Sequence, residues 1–233
     1  GAWLEEPIAP TTQRAPREVD QRNYYGSLGA DYDDAEQDSY TAKVEHDDNA
    51  RVTDRNQTRY NKTHREAVIS AIQNVAAYNP TTGLVTLGRQ GNERENVIAS
   101  NQTSVNARFA TGSVRHASSL GAEYAFERQD APGLQGLGTV APKDIFNPDP
   151  LAPVTGFAPA RSEVFSRGRT NTFALYAFDT VDLTPHWQVT GGLRWERYDA
   201  MFSALTAAGV ATDLEAVDSP VSGKAGLVYR VTP

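Results

Sequence analysis

The stretch HWQVTGGLRWERYD, residues 186–199, alternates between two kinds of residue from His186 to Glu196, and this alternation limits the folds that the chain can adopt. One set of alternate positions is polar, and the other set is Trp187, Val189, Gly191, Leu193 and Trp195. A period of two residues is typical of a β-strand with two different faces. A soluble sheet and an outer-membrane barrel both produce this pattern, but the apolar face meets the core in one and lipid in the other. Taken alone, this strand is equally compatible with both.

The same alternation recurs along the chain and predicts further strands. It covers residues 96–109, 114–128 and 221–231, and a shorter stretch at 39–45. Between the first two strands, Gly112 in ATGSV can take the positive φ of a tight hairpin turn.

Two other stretches have alternative interpretations. REAVISAIQNVAAY, residues 65–78, could form an amphipathic helix, but we expect a strand that leads into a loop. GLQGLG, residues 133–138, resembles a phosphate-binding loop in its glycine content. It neither follows an apolar strand nor opens a helix, so we interpret it as an ordinary loop.

The connections between the predicted strands alternate in length. Short ones are predicted at 46–50, 110–113 and 184–186, and long ones at roughly 71–93, 130–165 and 202–219. Outer-membrane barrels have short periplasmic turns and long extracellular loops, whereas a soluble sandwich has no reason to separate the two classes. About 9 to 11 tilted residues cross the hydrocarbon layer, and the predicted strands reach that length. The sequence therefore predicts an all-β protein, an antiparallel transmembrane β-barrel segment of about seven strands.

Composition excludes several function classes. The net charge is -7, with 22 basic against 29 acidic residues, which disfavours nucleic acid as a partner. There is no cysteine, so thiolate catalysis and thiolate metal sites are excluded. The four histidines are scattered, and acidic pairs such as Asp33-Asp34 lack the spacing of a calcium loop. We expect no enzyme activity, no bound metal and no cofactor.

Several longer motifs carry a resemblance to one family. ALYAFDTVDLTPHWQVTGGLRWERYD resembles the barrel of TonB-dependent siderophore receptors, in which a tight turn is followed by a tryptophan and then by "GGLRYD". The stretches NQTSVNARFATGSVRHASSLGAEYAFER and SYTAKVEHDDNARVTDRNQTRYNKT are similar to two hairpins of that family, and DIFNPDP is similar to its "LYNPD" loop. The motifs occur in the family's order and span the chain from about Trp3 to Tyr229.

The resemblance implies a fold, a location and partners. It implies a bacterial outer-membrane receptor for ferrichrome-type or catecholate siderophores, with a barrel of about 22 strands around an N-terminal plug. Uptake would use energy relayed by TonB. Residues 1–233 would then be part of the barrel domain, an internal fragment without the plug and the C-terminal strands. Such a segment is unclosed, and lipid does not tolerate open strand edges.

The resemblance also suggests residues that bind the ligand. GAWLEEP resembles a "GWLP" loop that places a tryptophan toward the ligand, which makes Trp3 the first candidate. A ferric siderophore is an amphipathic chelate with an oxygen-rich metal centre, which suits aromatic faces and arginine donors. The further candidates are Tyr24, Tyr25, Arg89 in the second long loop and Phe146 in the third. Packing of each residue within its own loop is an equally good explanation, and a plug-less diffusion porin or an adhesive outer-membrane barrel is the alternative function.

Overall fold

The computed structural model describes residues 19–20, 22–72 and 77–232, and within these ranges the chain forms β-strands and no α-helix. No helix in the described part of the chain is long and apolar enough to span a bilayer. The strands are β1 (Tyr32–Asn49), β2 (Val52–Ala71), β3 (Tyr78–Asn79), β4 (Leu84–Val85), β5 (Gly88–Thr111), β6 (Val114–Val140), β7 (Lys143–Asp144), β8 (Val154–Asp182), β9 (Trp187–Leu205), β10 (Ala211–Asp218) and β11 (Val221–Tyr229).

The large sheet has the order β1-β2-β5-β6-β8-β9-β10, and β11 also pairs with β9. β10 and β11 pair antiparallel with successive parts of β9 in one continuous register. The gap between them contains Pro220, which has no N–H to donate to the ladder, although its carbonyl still accepts a hydrogen bond from the Glu196 amide at 3.1 Å. β10 and β11 therefore occupy a single strand position, which gives the seven positions that the sequence predicts.

The sheet is not closed within the described residues. β1 pairs only with β2, and β10 and β11 pair only with β9. This confirms the prediction of an unclosed antiparallel segment.

The strands are longer than the alternation predicts, so the predicted long loops are wrong in extent. β6 continues to Val140 and β8 begins at Val154, which turns much of 130–165 into strand. β5 begins at Gly88, and the 202–219 stretch contains the end of β9 and all of β10. The alternation marks only the part of each strand that has one apolar face. Backbone pairing continues beyond that part, where both faces of the strands are polar and the sequence shows no alternation.

Smaller features were predicted with mixed success. Gly112 has a φ of 65° in the β5–β6 turn, and residues 65–71 are strand, as expected. The HDDNA turn is shorter than predicted, because β1 extends to Asn49.

The interpretation of GLQGLG as a loop is wrong, since the stretch lies within β6. Gly136 and Gly138 have φ values of 69° and 77°. A Cβ on Gly136 would lie 2.2 Å from the Ala158 carbonyl oxygen. Positive φ and close backbone approach are features of irregular strand positions that glycine alone accommodates without strain.

The chain divides into two compact units. The first unit is formed by the described residues within 1–36, 64–94 and 131–165, and the second by those within 37–63, 95–130 and 166–233. The first unit contains a second, small antiparallel sheet of β3, β4 and β7. Its core is Tyr78, Val85 and Ile145, against which four partly buried residues pack: Val19, Tyr25, Ile72 and Ala77.

The second unit has two chemically distinct faces. On the first, which we call the apolar face, Val105 lies opposite Leu120 and the rings of Phe173 and Trp195 meet edge to face at 6.2 Å. Leu193 shares this face and is 63% exposed. On the opposite face, the polar face, the Arg194 guanidinium donates to Glu123 at 3.2 Å and to Glu196 at 2.9 Å.

Two aromatic residues of β8 lie over glycines of the neighbouring strands on the polar face. A Cβ on Gly121 of β6 would lie 2.4 Å from the Tyr176 ring, and one on Gly192 of β9 would lie 1.8 Å from Phe178. The Lys224 ammonium lies 4.7 Å from the centre of the Phe178 ring. The two glycines therefore make room for rings that lie flat against the sheet.

Asp179 is a carboxylate on the apolar face, near the short turn that ends β8. It accepts hydrogen bonds from the His116 ring nitrogen at 2.7 Å and from the Ser118 hydroxyl at 2.8 Å. Phe109 stacks on His116 with ring centres 4.7 Å apart. The polar atoms are thus paired with one another and flanked by an aromatic ring.

Candidate functional site

Three of the candidate ligand-binding residues come together in the first unit. The segment that carries Tyr24 and Tyr25 lies against the chain at Phe146. The Asn23 side-chain amide donates to the carbonyl oxygens of Ile145, at 3.3 Å, and Phe146, at 3.0 Å. The Tyr25 hydroxyl also donates to the Ile145 carbonyl. Residues more than a hundred positions apart in the sequence therefore form one structural element.

The aromatic residues of this element differ in exposure. Tyr24 is 50% and Phe146 is 53% exposed. Tyr25 is partly buried and packs against the core of Tyr78, Val85 and Ile145. Tyr24 and Phe146 therefore present aromatic surface to solvent, whereas Tyr25 anchors the segment.

The backbone around Phe146 is fixed by a local side chain. One carboxylate oxygen of Asp144, Oδ1, accepts hydrogen bonds from the amides of Phe146 at 2.7 Å and Asn147 at 2.9 Å. Asn79 makes the equivalent pair of bonds in its own turn, to the amides of Thr81 and Thr82. Aspartate and asparagine stabilise turns in this way because their short side chains reach the amides that follow them.

Arg89 lies in strand β5, not in a loop as predicted, because β5 begins at Gly88. Its side chain is 3% exposed and forms a salt bridge of 2.7 Å with Asp31, which is 8% exposed. The guanidinium also donates to the Ser70 hydroxyl at 2.7 Å, to the Ala30 carbonyl at 2.7 Å and to the Leu137 carbonyl. The structure thus surrounds Arg89 with protein acceptors, and its contact with a ligand stays a prediction.

Asp31 is the centre of this buried network. Burial acts to raise the pKa of its carboxyl group. The hydrogen bonds from the Ser27 amide, the Ser70 amide and hydroxyl and the Arg89 guanidinium outweigh that effect and lower the pKa below its usual value. Asp31 is therefore a carboxylate at neutral pH, and it compensates the charge of Arg89.

A second buried cation, Lys143, lies in the same unit. Its side chain donates to the Gly26 carbonyl at 2.6 Å, and burial lowers its pKa. Ser27, which follows Gly26 in the sequence, is completely buried. Sequence reasoning missed Lys143, Asp31 and Ser70, because none of them belongs to a local motif.

Trp3, the first candidate, lies outside the described residues. Within the residues that the structure describes, no group of three or more histidine, cysteine, aspartate or glutamate side chains is arranged to hold a metal ion. A ligand that carries its own iron would be bound through its organic surface.

Comparison with known proteins identifies curated relatives. The catecholate siderophore receptor Fiu of Escherichia coli K12 is 32% identical over 239 residues, which cover 92% of this chain and 31% of the relative. The probable TonB-dependent siderophore receptor PiuA of Acinetobacter baumannii is 24% identical over 238 residues, covering 94% of this chain and 32% of the relative. The chain thus spans about a third of the length of these relatives.

Solved structures agree with the fold. The crystal structure of the ferric-catecholate import receptor Fiu from Escherichia coli K12, in its open form, matches with a TM-score of 0.81 and 30% identity, over 92% of this chain and 36% of that one. The siderophore receptor PiuA from Acinetobacter baumannii matches with a TM-score of 0.76 over 93% of this chain and 33% of that one, and its 23% identity supports the fold alone.

A family profile also matches this chain. The profile described as "TonB dependent receptor-like, beta-barrel" matches residues 6–233, which is nearly the whole chain. The motifs, the antiparallel sheet and the profile agree: the chain belongs to the β-barrel family of TonB-dependent receptors.

Proposed function

We propose that this chain is part of an outer-membrane receptor that takes up ferric siderophores, with TonB as its energy-coupling partner. The observation that supports the proposal is the pair of exposed aromatic side chains, Tyr24 and Phe146, on segments that hydrogen bonds from Asn23 hold together in the first unit. The similarity to the catecholate siderophore receptor Fiu supports a ferric catecholate as the ligand. The iron is cargo in this proposal and not a cofactor.

The framework explains how such a site would work. Exposed aromatic rings bind planar aromatic ligands by stacking and by removing apolar surface from water. A ring contributes more when its backbone is already fixed, because less conformational entropy is lost on binding. The Asp144 bonds to the amides of Phe146 and Asn147, and the Asn23 bonds to residues 145 and 146, supply that fixation.

The remaining predicted contacts belong to the proposal with different roles. We assign ligand contact to Tyr24 and Phe146, and retain Trp3 as a predicted contact. Tyr25 and Arg89 act mainly by positioning the segments around them, because both make partly buried hydrogen bonds to residues distant in the sequence.

The proposed location also assigns a role to the apolar face. Leu193 and its neighbours on this face contact lipid, because an exposed apolar strand surface is stable against hydrocarbon and unfavourable in water. Receptors and transporters of this family are not enzymes, and we propose no catalytic activity, no cofactor and no nucleic-acid partner for this one. A diffusion porin is the less favoured function, because a porin would need no fixed aromatic ligand site.

The test is ligand binding by the full-length receptor. Tyr24→Ala and Phe146→Ala should each weaken binding of a ferric catecholate by about tenfold, as expected for aromatic residues at a binding site. The matched control is Leu151→Ala, which truncates another exposed apolar side chain of the same unit, at 74% exposure. Calorimetric titration measures the affinities.

Two further variants separate contact from positioning. Tyr25→Phe keeps the ring and removes only the hydroxyl bonded to Ile145, so it should reduce the stability of the segment more than the affinity of the folded receptor. Equal affinities for the wild type, Tyr24→Ala and Phe146→Ala would contradict the assigned site. Iron-limited growth on single siderophores tests uptake itself, and a deletion strain that grows normally on all of them would refute it.

A further inference from the structure

The ring of Tyr24 lies against Gly26, a buried glycine of the first unit. A Cβ atom at position 26 would overlap the Tyr24 hydroxyl oxygen and the ring carbon that carries it. Gly26 is not among the glycines with a positive φ, so its backbone conformation is open to other residues. Position 26 therefore requires glycine for the space that the Tyr24 ring occupies.

The backbone of Gly26 is fixed by a lysine side chain. The Lys143 ammonium donates a hydrogen bond of 2.6 Å to the Gly26 carbonyl oxygen, and Lys143 is 3% exposed. Lys143 lies in β7, where it pairs with Val85 of β4 in the small sheet. The small sheet thus supports Gly26 through Lys143, and Gly26 in turn supports the ring of Tyr24.

A buried lysine at this position is costly. Within the described residues Lys143 forms no salt bridge, although the charges of Asp31 and Asp149 attract its ammonium and that of Arg89 repels it. An ammonium without a carboxylate partner is unfavourable in a protein interior, and an apolar side chain would fill the same space without that cost. The hydrogen bond to the Gly26 carbonyl supplies the reason for a cation here.

Lys143 also belongs to the segment that carries Phe146, the second exposed ring of the proposed site. Asp144, the residue after Lys143, accepts a hydrogen bond of 2.7 Å from the Phe146 amide. Two adjacent side chains therefore act on the two rings. Lys143 holds the chain against which Tyr24 lies, and Asp144 holds the backbone of Phe146.

We propose that Gly26 and Lys143 are positioning residues for the ligand-binding surface formed by Tyr24 and Phe146. Gly26 provides the space in which the Tyr24 ring lies, and Lys143 fixes Gly26 to the segment of Phe146. A ring that is held in one orientation loses less conformational entropy when a planar aromatic ligand stacks on it. This inference rests on the proposed function, because it takes Tyr24 to contact the ligand.

Gly26→Ala in the full-length receptor tests the contact with Tyr24. The new Cβ would meet the far end of the Tyr24 side chain, which can rotate away, so the receptor should stay folded. The displaced ring should weaken binding of a ferric catecholate by about tenfold in calorimetric titration, as much as Tyr24→Ala does. Gly168→Ala is the matched control and should leave the affinity unchanged, because a Cβ at position 168 meets no atom within 4 Å.

A double-variant cycle separates positioning from a general effect on the fold. If Gly26→Ala acts through the Tyr24 ring, it should weaken binding no further in a receptor that already carries Tyr24→Ala. A loss of affinity by the same factor in both backgrounds would overturn the role of Gly26. A crystal structure of the Gly26→Ala receptor with the Tyr24 ring in its original place would overturn it as well.

Lys143→Met tests the hydrogen bond to Gly26. Methionine fills a similar space without a charge, so the first unit should resist proteolysis about as well as in the wild type. The affinity for the ferric catecholate should nevertheless fall by up to about tenfold, because the Tyr24 ring is then less well fixed. Lys43→Met, which removes a half-exposed lysine of the second unit, is the control and should change neither property. Unchanged affinity of Lys143→Met, or a loss that appears only with rapid proteolysis, would refute a positioning role for Lys143.

The affinity of Tyr24→Ala separates this inference from the proposed function. If Tyr24→Ala binds the ferric catecholate as tightly as the wild type, the assigned ligand-binding surface is wrong and the positioning roles fail with it. If Tyr24→Ala binds weakly while Gly26→Ala and Lys143→Met bind normally, the proposed site stands and the positioning roles alone are refuted.

Discussion

The two units differ in whether they bury or expose their large apolar side chains. Among the residues that the structure describes, eight of the ten buried hydrophobic residues belong to the first unit, and the other two, Val97 and Ala174, belong to the second. The second unit instead exposes large apolar side chains such as Leu193 and Leu227, at 63% and 64%. A protein in water buries such side chains, whereas one in lipid exposes them. The first unit therefore has a buried core of the usual kind, and the exposed apolar face of the second unit is the surface that the proposed function assigns to lipid.

The units also differ in how they use charge. In the first, Asp31 and Arg89 are almost completely buried and paired. In the second, the Arg194 pairs with Glu123 and Glu196 are partly exposed, at 27% to 33%. Breaking a buried pair leaves an uncompensated charge and is costly, whereas exposed pairs contribute little.

Asp31→Asn should have the largest effect. It leaves the buried Arg89 guanidinium without its counter-ion, and the first unit should lose about 3–5 kcal/mol of stability. Limited proteolysis of the folded receptor measures the opening of this unit. Glu196→Gln, which removes a partly exposed partner of Arg194, is the control and should cost less than about 1 kcal/mol. Similar proteolysis rates for the two variants would show that the Asp31 pair is not a buried one.

Ile145→Ala should come next. Ile145 is completely buried in the first unit, so its truncation leaves a cavity and should cost about 2–5 kcal/mol. Proteolysis of the first unit again provides the measurement. Leu151→Ala in the same unit should change stability by no more than about 0.5 kcal/mol, because Leu151 is 74% exposed. The contrast between the units fails if Ile145→Ala is tolerated as well as Leu151→Ala.

Leu193→Arg tests whether the exposed apolar face meets lipid. A charged side chain near the middle of a bilayer should cost about 2–4 kcal/mol, whereas a substitution exposed to water should cost almost nothing. Urea unfolding of the receptor in phospholipid vesicles measures the difference. Val228→Arg is the matched control. Val228 is also exposed, but it pairs with Gln188 of β9 and therefore lies on the polar face of the sheet. Equal stability of both variants would mean that the apolar face is in water.

The smallest expected effect is an acid dependence of the first unit. The pKa of Asp31 is lower in the folded protein than in the unfolded chain, so its contribution is fully present above the unfolded pKa and is lost as pH falls through the folded one. Proteolysis at decreasing pH, with an acid-stable protease, should show the first unit opening below about pH 4. Asp31→Asn should remove this part of the pH dependence. A wild type and variant with parallel pH profiles would assign the acid response to other groups.

The sequence predicted the faces of the second unit well and the first unit poorly. Leu193 and Arg194 lie on the faces that the alternation predicts, because a strand period of two is a local property. Tyr24, Tyr25 and Phe146 came from the resemblance and their aromatic character, and the structure brings them together. The burial of Arg89 could not be predicted, because its partners Asp31, Ser70 and Leu137 are far apart in the sequence. Strand ends were also missed, since pairing outlasts the apolar alternation.

The ring of Phe178 over Gly192 has a consequence for how β8 and β9 align. A shift of one residue would exchange the two faces of β9, and a shift of two would place Thr190 or Arg194 beneath the ring. Neither side chain leaves the space that Phe178 occupies, since even a Cβ at position 192 would lie 1.8 Å from it. Gly192 is therefore the position in this part of β9 that leaves room for the Phe178 ring. This contact disfavours slipped registers and so helps to select the correct pairing of β8 with β9 during folding.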